Sequence, residues 1–501
     1  MARERGISLP FQGKAQYDVK IDADLSQVDS HLSVLKADEL RKLKVLHILA
    51  DGDMDQLRVT GTLGKQYAFN TQWSLAEKST QLSRGILQSN SDKIPDLPEK
   101  SLLELNLPAI EGEEWLGLIA PLTSSSSLAG RALLPQHLRV SLPSLDVGGQ
   151  RWNQLSLDVE QQSWGIQVSA DSQEINGKLN IRNSGPWQLN LSHLYYNPLQ
   201  YNSQQPESDL SKQSQTGTTQ RYSLNQWPSL DIVCSECWIM GLKLGKVSGS
   251  LIPEGNSLVL RDGMVDNSAS KLNLAGRWQE SAGENNTHLM GQFSGEKFDE
   301  MASYLGIVVP IVKSPFNFRF DFNWLDTPWK PDLQTLNGNL KSDLGKGAIE
   351  KLGGGSAGQL LKLVSFDALL RKLQLDFSDT FSQDFEFDSI RGDVSVKNGI
   401  LKTKNLRIDG LIADVITKGE IDLVRQQINI EAIVTPEISA TVGVATAFVI
   451  NPVAGAALFA ATKVLGPLWN KISVIRYRIT GNLEQPKIDE VLRQLKENRG
   501  T

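Results

Sequence analysis

Apolar and polar residues alternate one for one along most of this chain. Trp152, Leu155, Leu157 and Val159 are followed by Trp164, Ile166, Val168 and Ala170, then by Leu179 and Ile181, then by Trp187, Leu189 and Leu191. The same rhythm returns at Leu272 and Leu274, and at Phe316, Phe318, Phe320 and Phe322. It continues through Val394 and Val396, Leu406 and Ile408, Ile421 and Leu423, and Ile428 and Ile430. A period of two is the mark of a strand with one buried face. Between these runs lie turn sequences, "EING", "RNSG", "PEGN", "VKNG" and "DLVRQQ", spaced as an antiparallel meander requires. The alternate positions carry Asp, Lys, Gln, Asn and Ser, so one face is wet and the other dry. The expected fold class is mostly β, a long antiparallel meander, with few helices.

The helical patterns are short. "EGEEWLGLIAPL" (111–122), "SGEKFDEMASYLGI" (294–307, helical core near 296–305) and "SAGQLLKLVSFDALLRKL" (356–373) are amphipathic, the last capped at Ser356. At the C-terminus "PKIDEVLRQLKENRG" places Ile488, Val491, Leu492 and Leu495 at helical spacing and predicts an amphipathic helix. The Gln/Ser-rich stretch 197–222 reads as a surface loop or linker. The expected organisation is a β segment over 1–196, that linker, and a second β segment over 223–435. An apolar helical hairpin over 436–472 follows, and then a closing strand and helix over 473–501.

The hairpin rests on one stretch. From Ile438 to Thr462 no charged side chain occurs. Asn451-Pro452 interrupts it, and proline inside a helix costs about 3 kcal/mol, so two short helices are expected rather than one span. Each is too short for a bilayer core of about 30 Å. The apolar side chains Val442, Val444, Phe448, Val449, Ile450, Leu458, Phe459, Val464, Leu465, Leu468 and Trp469 would contact a membrane. Lys463, Trp469 and Lys471 stand where interface anchors stand. An interfacial hairpin, a plug over the end of the sheet and a true span all remain open.

Composition narrows the chemistry. The 501 residues are 40% hydrophobic and 22% charged, with a formal net charge of −6, which fits folded protein. Basic residues form no stripe, so no nucleic-acid partner is expected. Gly354-Gly355-Ser356-Ala357-Gly358 matches a nucleophile elbow in letters only, because that motif follows a parallel strand of an α/β sheet; Ser356 reads as a helix cap. Asp376, Asp379, Asp384, Glu386 and Asp388 alternate with Phe377, Phe381, Phe385 and Phe387, which reads as the wet side of strands. No phosphate loop, dinucleotide fingerprint or zinc-protease motif occurs. No enzyme, cofactor or metal is expected. Cys234 and Cys237, in "DIVCSECWIMG", could form a structural disulfide, a redox pair or half a zinc site. Their strand-like flanks favour the structural reading.

The dry face leaves two architectures. Two sheets could pack into sandwiches, or one sheet could curl into a gutter whose apolar inside accepts something apolar. Periodicity does not separate them.

The order of phrases resembles the AsmA-like family, in particular its large Gram-negative members. They are "LPSLDVGGQRWNQLSLDVEQQSWGIQVSADSQEINGKLNI" (142–181), "WPSLDIVCSECWIMGLKLGKVSGSL" (227–251), the long run from "LDTPWKPDLQTLNGNLKSDLGKG" to "VKNGILKTKNLRIDG" (325–410) and "VIRYRITGNLEQPKI" (474–488). The resemblance runs from about residue 100 to 490 and is densest from Leu325 to Gln485. It implies a bridge-like lipid transporter: an elongated, repeating β-groove in the periplasm that moves phospholipid between membranes and supports outer-membrane integrity. On that reading Phe316, Phe318, Phe320, Phe322, Val394, Val396, Leu406, Ile408, Ile421, Leu423, Ile428 and Ile430 line a groove for phospholipid acyl chains. The helical hairpin then reaches the outer membrane. The family's inner-membrane anchor helix does not occur in this sequence, which is expected to be the C-terminal part of a longer chain. Envelope protein partners are not specified by any of these features.

Overall fold

The computed structural model describes residues 16–27, 41–76, 79–111, 136–198, 224, 227–281, 284–305, 309–350, 385–436, 474–483 and 486–494. The protein is mostly β. It divides into two compact units, one of residues 1–221 with 228–245, the other of residues 222–227 with 246–501.

The first unit runs β1 (Tyr17–Asp24), β2 (Val45–Gly52), β3 (Gln56–Leu63), β4 (Tyr67–Ala76), β5 (Ser79–Ser89), β6 (Leu103–Asn106), β7 (Ile110–Glu111) and β8 (His137–Val147). β9 (Gln150–Gln162), β10 (Gly165–Asp171), β11 (Ile175–Arg182), β12 (Trp187–Tyr196) and β13 (Leu230–Ile239) follow. Consecutive strands pair antiparallel from β1 to β5 and from β8 to β12.

The meander is not antiparallel throughout. β5 pairs parallel with β6, β6 and β7 pair parallel with β8, and β12 pairs parallel with β13. Parallel neighbours cannot be joined by a tight turn, and each connection here is long. Between β5 and β6 the segment 90–102 crosses the polar face. Asn70 donates its side-chain amide to Pro95 O (2.8 Å), and Arg84 donates to Pro98 O (3.1 Å). Asn70 is fully buried beneath this crossing.

The second unit contains β14 (Leu242–Glu254, from Lys246), β15 (Ser257–Asp266), β16 (Ser270–Ser281), β17 (Glu284–Gly295), α1 (Phe298–Tyr304), β18 (Ile311–Val312), β19 (Phe316–Leu325) and β20 (Asn337–Leu344). β21 (Gly347–Ile349), β22 (Phe385–Lys397), β23 (Ile400–Gly410), β24 (Ala413–Asp422), β25 (Gln427–Pro436), β26 (Val474–Asn482) and β27 (Lys487–Gln494) follow. Here the long strands pair antiparallel in chain order. The turn Asn398-Gly399 explains one hairpin: both residues have positive φ (51° and 74°), the geometry for which Asn-Gly is preferred.

A second expectation is corrected. Residues 487–494, read above as part of a helix, form β27. The free edge of β26 supplies partners for its backbone, with Ile488 opposite Ile479, and that ladder overrides the helical spacing of the side chains. α1 is shorter than 294–307, and its Phe298 and Met301 dock on the sheet. The predicted helices at 111–122 and 356–373 and the hairpin at 436–472, with its eleven membrane-contact residues, lie outside the described residues, apart from Glu111 in β7 and Pro436 in β25. Among the described residues no helix is long and apolar enough to cross a membrane.

Candidate functional site

Side chains on a strand alternate between faces, so cross-strand partners share a face. Following the register across the second unit gives an unbroken row: Leu251, Leu260, Gly276, Leu289, Phe322, Gly338, Val396, Leu401, Ile421, Ile428 and Gly481. One step along the strands runs Leu274, Gly291, Phe320, Leu340, Val394, Thr403, Gly419, Ile430 and Ile479. Two further rows contain Phe293, Phe318 and Leu406, and Phe316, Leu344, Ile390, Ile408, Val415, Val434 and Ile475. No acid or base occupies any of these positions.

The first unit repeats the arrangement by itself. Ile21, Ile48, Gly61, Phe69, Leu87, Leu105, Val140, Leu157, Ala170, Gly177, Leu191 and Cys234 are successive cross-strand partners.

Eleven of the twelve residues expected from sequence to line a groove therefore share one face; Leu423 lies in the turn after β24. They are not equally accessible. Phe318, Phe320, Phe322, Val394, Leu406, Ile421, Leu423 and Ile430 are half-buried, whereas Phe316, Ile408 and Ile428 are buried in one core and Val396 is buried outside it. That core is closed by α1, whose Phe298 ring packs 5.6 Å from Phe316 and 5.3 Å from Phe318, and by Ile349, Phe385 and Phe387. From β16 to β20 the other three rows stay half-buried.

Glycine shapes this wall. A Cβ on Gly276 would lie 2.3 Å from Leu289 Cδ2, one on Gly291 2.9 Å from Phe320 Cζ, and one on Gly338 2.8 Å from Phe322 Cδ1. Each large side chain reclines over the glycine of the adjoining strand, and Phe320 and Phe322 stack at 5.7 Å. Leu289 and Phe293 were missed from sequence because their strand reads Thr-x-Leu-x-Gly-x-Phe-x-Gly, too poor in large apolar residues. Glycine at period two beside aromatics was the available signal.

The opposite face is charged. Arg391 pairs with Asp343 (3.0 Å), Lys402 with Glu420 (2.9 Å), and Lys418 and Arg476 with Glu431 (3.3 and 2.8 Å). Glu254 is held below the usual carboxylate range by the hydrogen bond from Arg277, with Arg261 adding to it. On the polar face of the first unit His137, Asp158 and Glu160 bring potential ligand atoms within 4.8 Å of one another. Arg139 donates twice to Asp158 (2.9 and 2.8 Å). Burial works to raise the Asp158 pKa, but the hydrogen bonds from Arg139 and His137 outweigh it and lower it. Arg139 thus already engages the carboxylate that the trio shares.

Cys234 and Cys237 are disulfide-bonded. Residues three apart on a regular strand face opposite ways. Here Ser192 is an extra residue in β12: His193 pairs with Asn176 and Leu191 with Gly177. β13 follows β12 residue for residue. The bulge returns Leu191 and Leu194 to one face, and with them Cys234 and Cys237, both buried.

In each unit, rows of uncharged side chains on one face and ion pairs on the other define a β protein with a one-sided apolar wall. The chain belongs to the YhdP protein family, which matches residues 4–488, further toward the N-terminus than the phrases quoted above. It is 43% identical over 489 residues to the intermembrane phospholipid transporter YhdP of Escherichia coli (strain K12), an alignment covering 98% of this chain and 38% of that protein. The chain thus spans well under half the length of that curated relative. No solved structure matches it.

Proposed function

We propose that this chain carries phospholipid acyl chains along its apolar wall, as part of intermembrane phospholipid transport across the periplasm that sustains the outer-membrane barrier. The observation that carries the reading is the uncharged row crossing from β14 to β26, half-buried from β16 to β20. Each methylene kept from water on such a wall is worth about 0.8 kcal/mol. A succession of similar positions lets a chain move without a deep well at any one of them. The disulfide agrees with an oxidising compartment, and the relative's printed activity agrees with a lipid cargo. The uncharged stretch Ile438–Thr462 is the part we assign to contact with the outer membrane; deleting 441–466 should abolish transfer if it forms the mouth.

Photo-crosslinking tests the wall directly. A photoreactive residue at Leu340 or Phe320 should capture phospholipid, and one at the outward Lys341 or Arg319 should not. Equal capture at all four positions would refute the assignment.

A further inference from the structure

At the edge of the second unit, the loop after β19 and the turn after β24 line an open surface cleft of about 550 Å³, a volume within the range of small-ligand sites. Its wall includes Asp326, Lys330, Asp332, Leu333, Leu423 and Gln426. Leu423 lies in the turn directly after the strand that carries Ile421, so the end of the apolar row adjoins this cleft. We propose that the cleft receives the headgroup of a zwitterionic phospholipid of the phosphoethanolamine class; the proposal rests on the acyl-chain reading above.

Two charges carry it. The Lys330 side chain is 78% exposed, and its ammonium is 3.4 Å from Asp326. An exposed pair of this kind is weak, so Lys330 can turn to a phosphate. Asp332 accepts from the Gln334 N–H (3.0 Å) and the Thr335 hydroxyl (2.9 Å), which fix its carboxylate. Among the described residues Asp332 has no cation partner. A carboxylate has about four lone-pair sites and an alkylammonium three donors, so Asp332 retains capacity for an amine. A purely anionic headgroup would meet two carboxylates and one lysine; a zwitterion satisfies both signs.

The test uses the purified full chain. It is incubated with vesicles of phosphatidylethanolamine, of phosphatidylglycerol and of both together, re-isolated, and its bound lipid is quantified by mass spectrometry. The wild type should prefer phosphatidylethanolamine by about tenfold. Lys330→Glu and Asp332→Asn should each erode that preference while total bound lipid holds, with circular dichroism verifying the fold. An unchanged ratio in both variants, with lipid lost only in the wall variant Leu340→Asp, would overturn the cleft assignment and leave the wall reading intact. A Lys330→Glu loss equal for both lipids, with Asp332→Asn silent, would show a phosphate site and overturn the zwitterion assignment. Absence of lipid from the wild type would refute the wall reading itself.

Discussion

Phe320→Asp places a carboxylate in the middle of the apolar wall. Phe320 is half-buried, opposite Gly291 and Leu340, and stacked on Phe322. Full burial of such a side chain is worth about 1.5–3 kcal/mol, so its loss from a half-buried position should lower stability by about 1 kcal/mol. The effect on a passing acyl chain is larger. The chain would strip water from the carboxylate, at an effective cost of several kcal/mol. A barrier of about 3–4 kcal/mol slows passage by two to three orders of magnitude, at 1.4 kcal/mol per tenfold. Arg319→Asp, one residue away, is the control. Arg319 is exposed on the other face, opposite Lys341, and the change replaces a like-charge pair by an opposite one, a gain of about 0.2–1 kcal/mol. Transfer of a fluorescent phospholipid from donor to acceptor vesicles, followed beside thermal unfolding, reads both effects. Equal transfer rates in the two variants would refute the reasoning.

Other perturbations address the fold. Gly291→Val sets a Cβ 2.3 Å from Asn273 O as well as against the Phe320 ring; a loss of about 1–3 kcal/mol is expected in urea unfolding. Replacing Cys234 and Cys237 by Ser removes a short covalent loop, worth about 2 kcal/mol on the chain-entropy account, and should speed amide exchange near Ser192 and Ser235. Because the Asp158 pKa is lowered in the folded state, its stabilisation is present above the ordinary carboxylate value and is lost as pH falls through the folded one. Arg139→Met should flatten the acid side of the stability profile below the ordinary carboxylate pKa. Gly399→Ala introduces a Cβ at φ +74°, 2.3 Å from Leu333 O, and should cost about 1–2 kcal/mol in the urea midpoint.

The wall was legible wherever large apolar residues alternate without interruption. Phe316 to Phe322, Val394 and Val396, and Ile428 and Ile430 fall on one face because their strands carry no bulge between them. Period two cannot tell which wall positions are sealed: Ile408 is fully buried and Ile421 half-buried, yet each stands between two charged residues on neighbouring strands. That difference arises from α1, Ile349 and Phe385, which arrive from distant parts of the sequence. The parallel pairings escaped for a similar reason: a linker such as 197–222 announces a long connection but not the direction of the strand it reaches. β27 shows the opposite failure. Its helical spacing is genuine, and the vacant edge of β26 decides the outcome.

Whether an apolar face becomes a packed core or a trough depends on what covers it. Facing sheets in a sandwich interdigitate across about 10 Å, which requires side chains that project. In the row through Ile390, Ile408, Val415, Val434 and Ile475, β-branched residues predominate, and these five are buried. In the rows through Gly276, Gly291 and Gly338, the large partners lie along the sheet over the glycines and stay half-buried. The contrast lies within one unit, and it follows the cover each row receives: α1, Ile349, Phe385 and Phe387 pack over the first. Glycine beneath a large side chain is common to both outcomes: Gly295 lies under the buried Phe316 and Gly410 under the buried Phe385, as Gly291 lies under the half-buried Phe320. Glycine lets the wall remain wholly apolar, and whether the space above it fills is decided by the segments that reach over it.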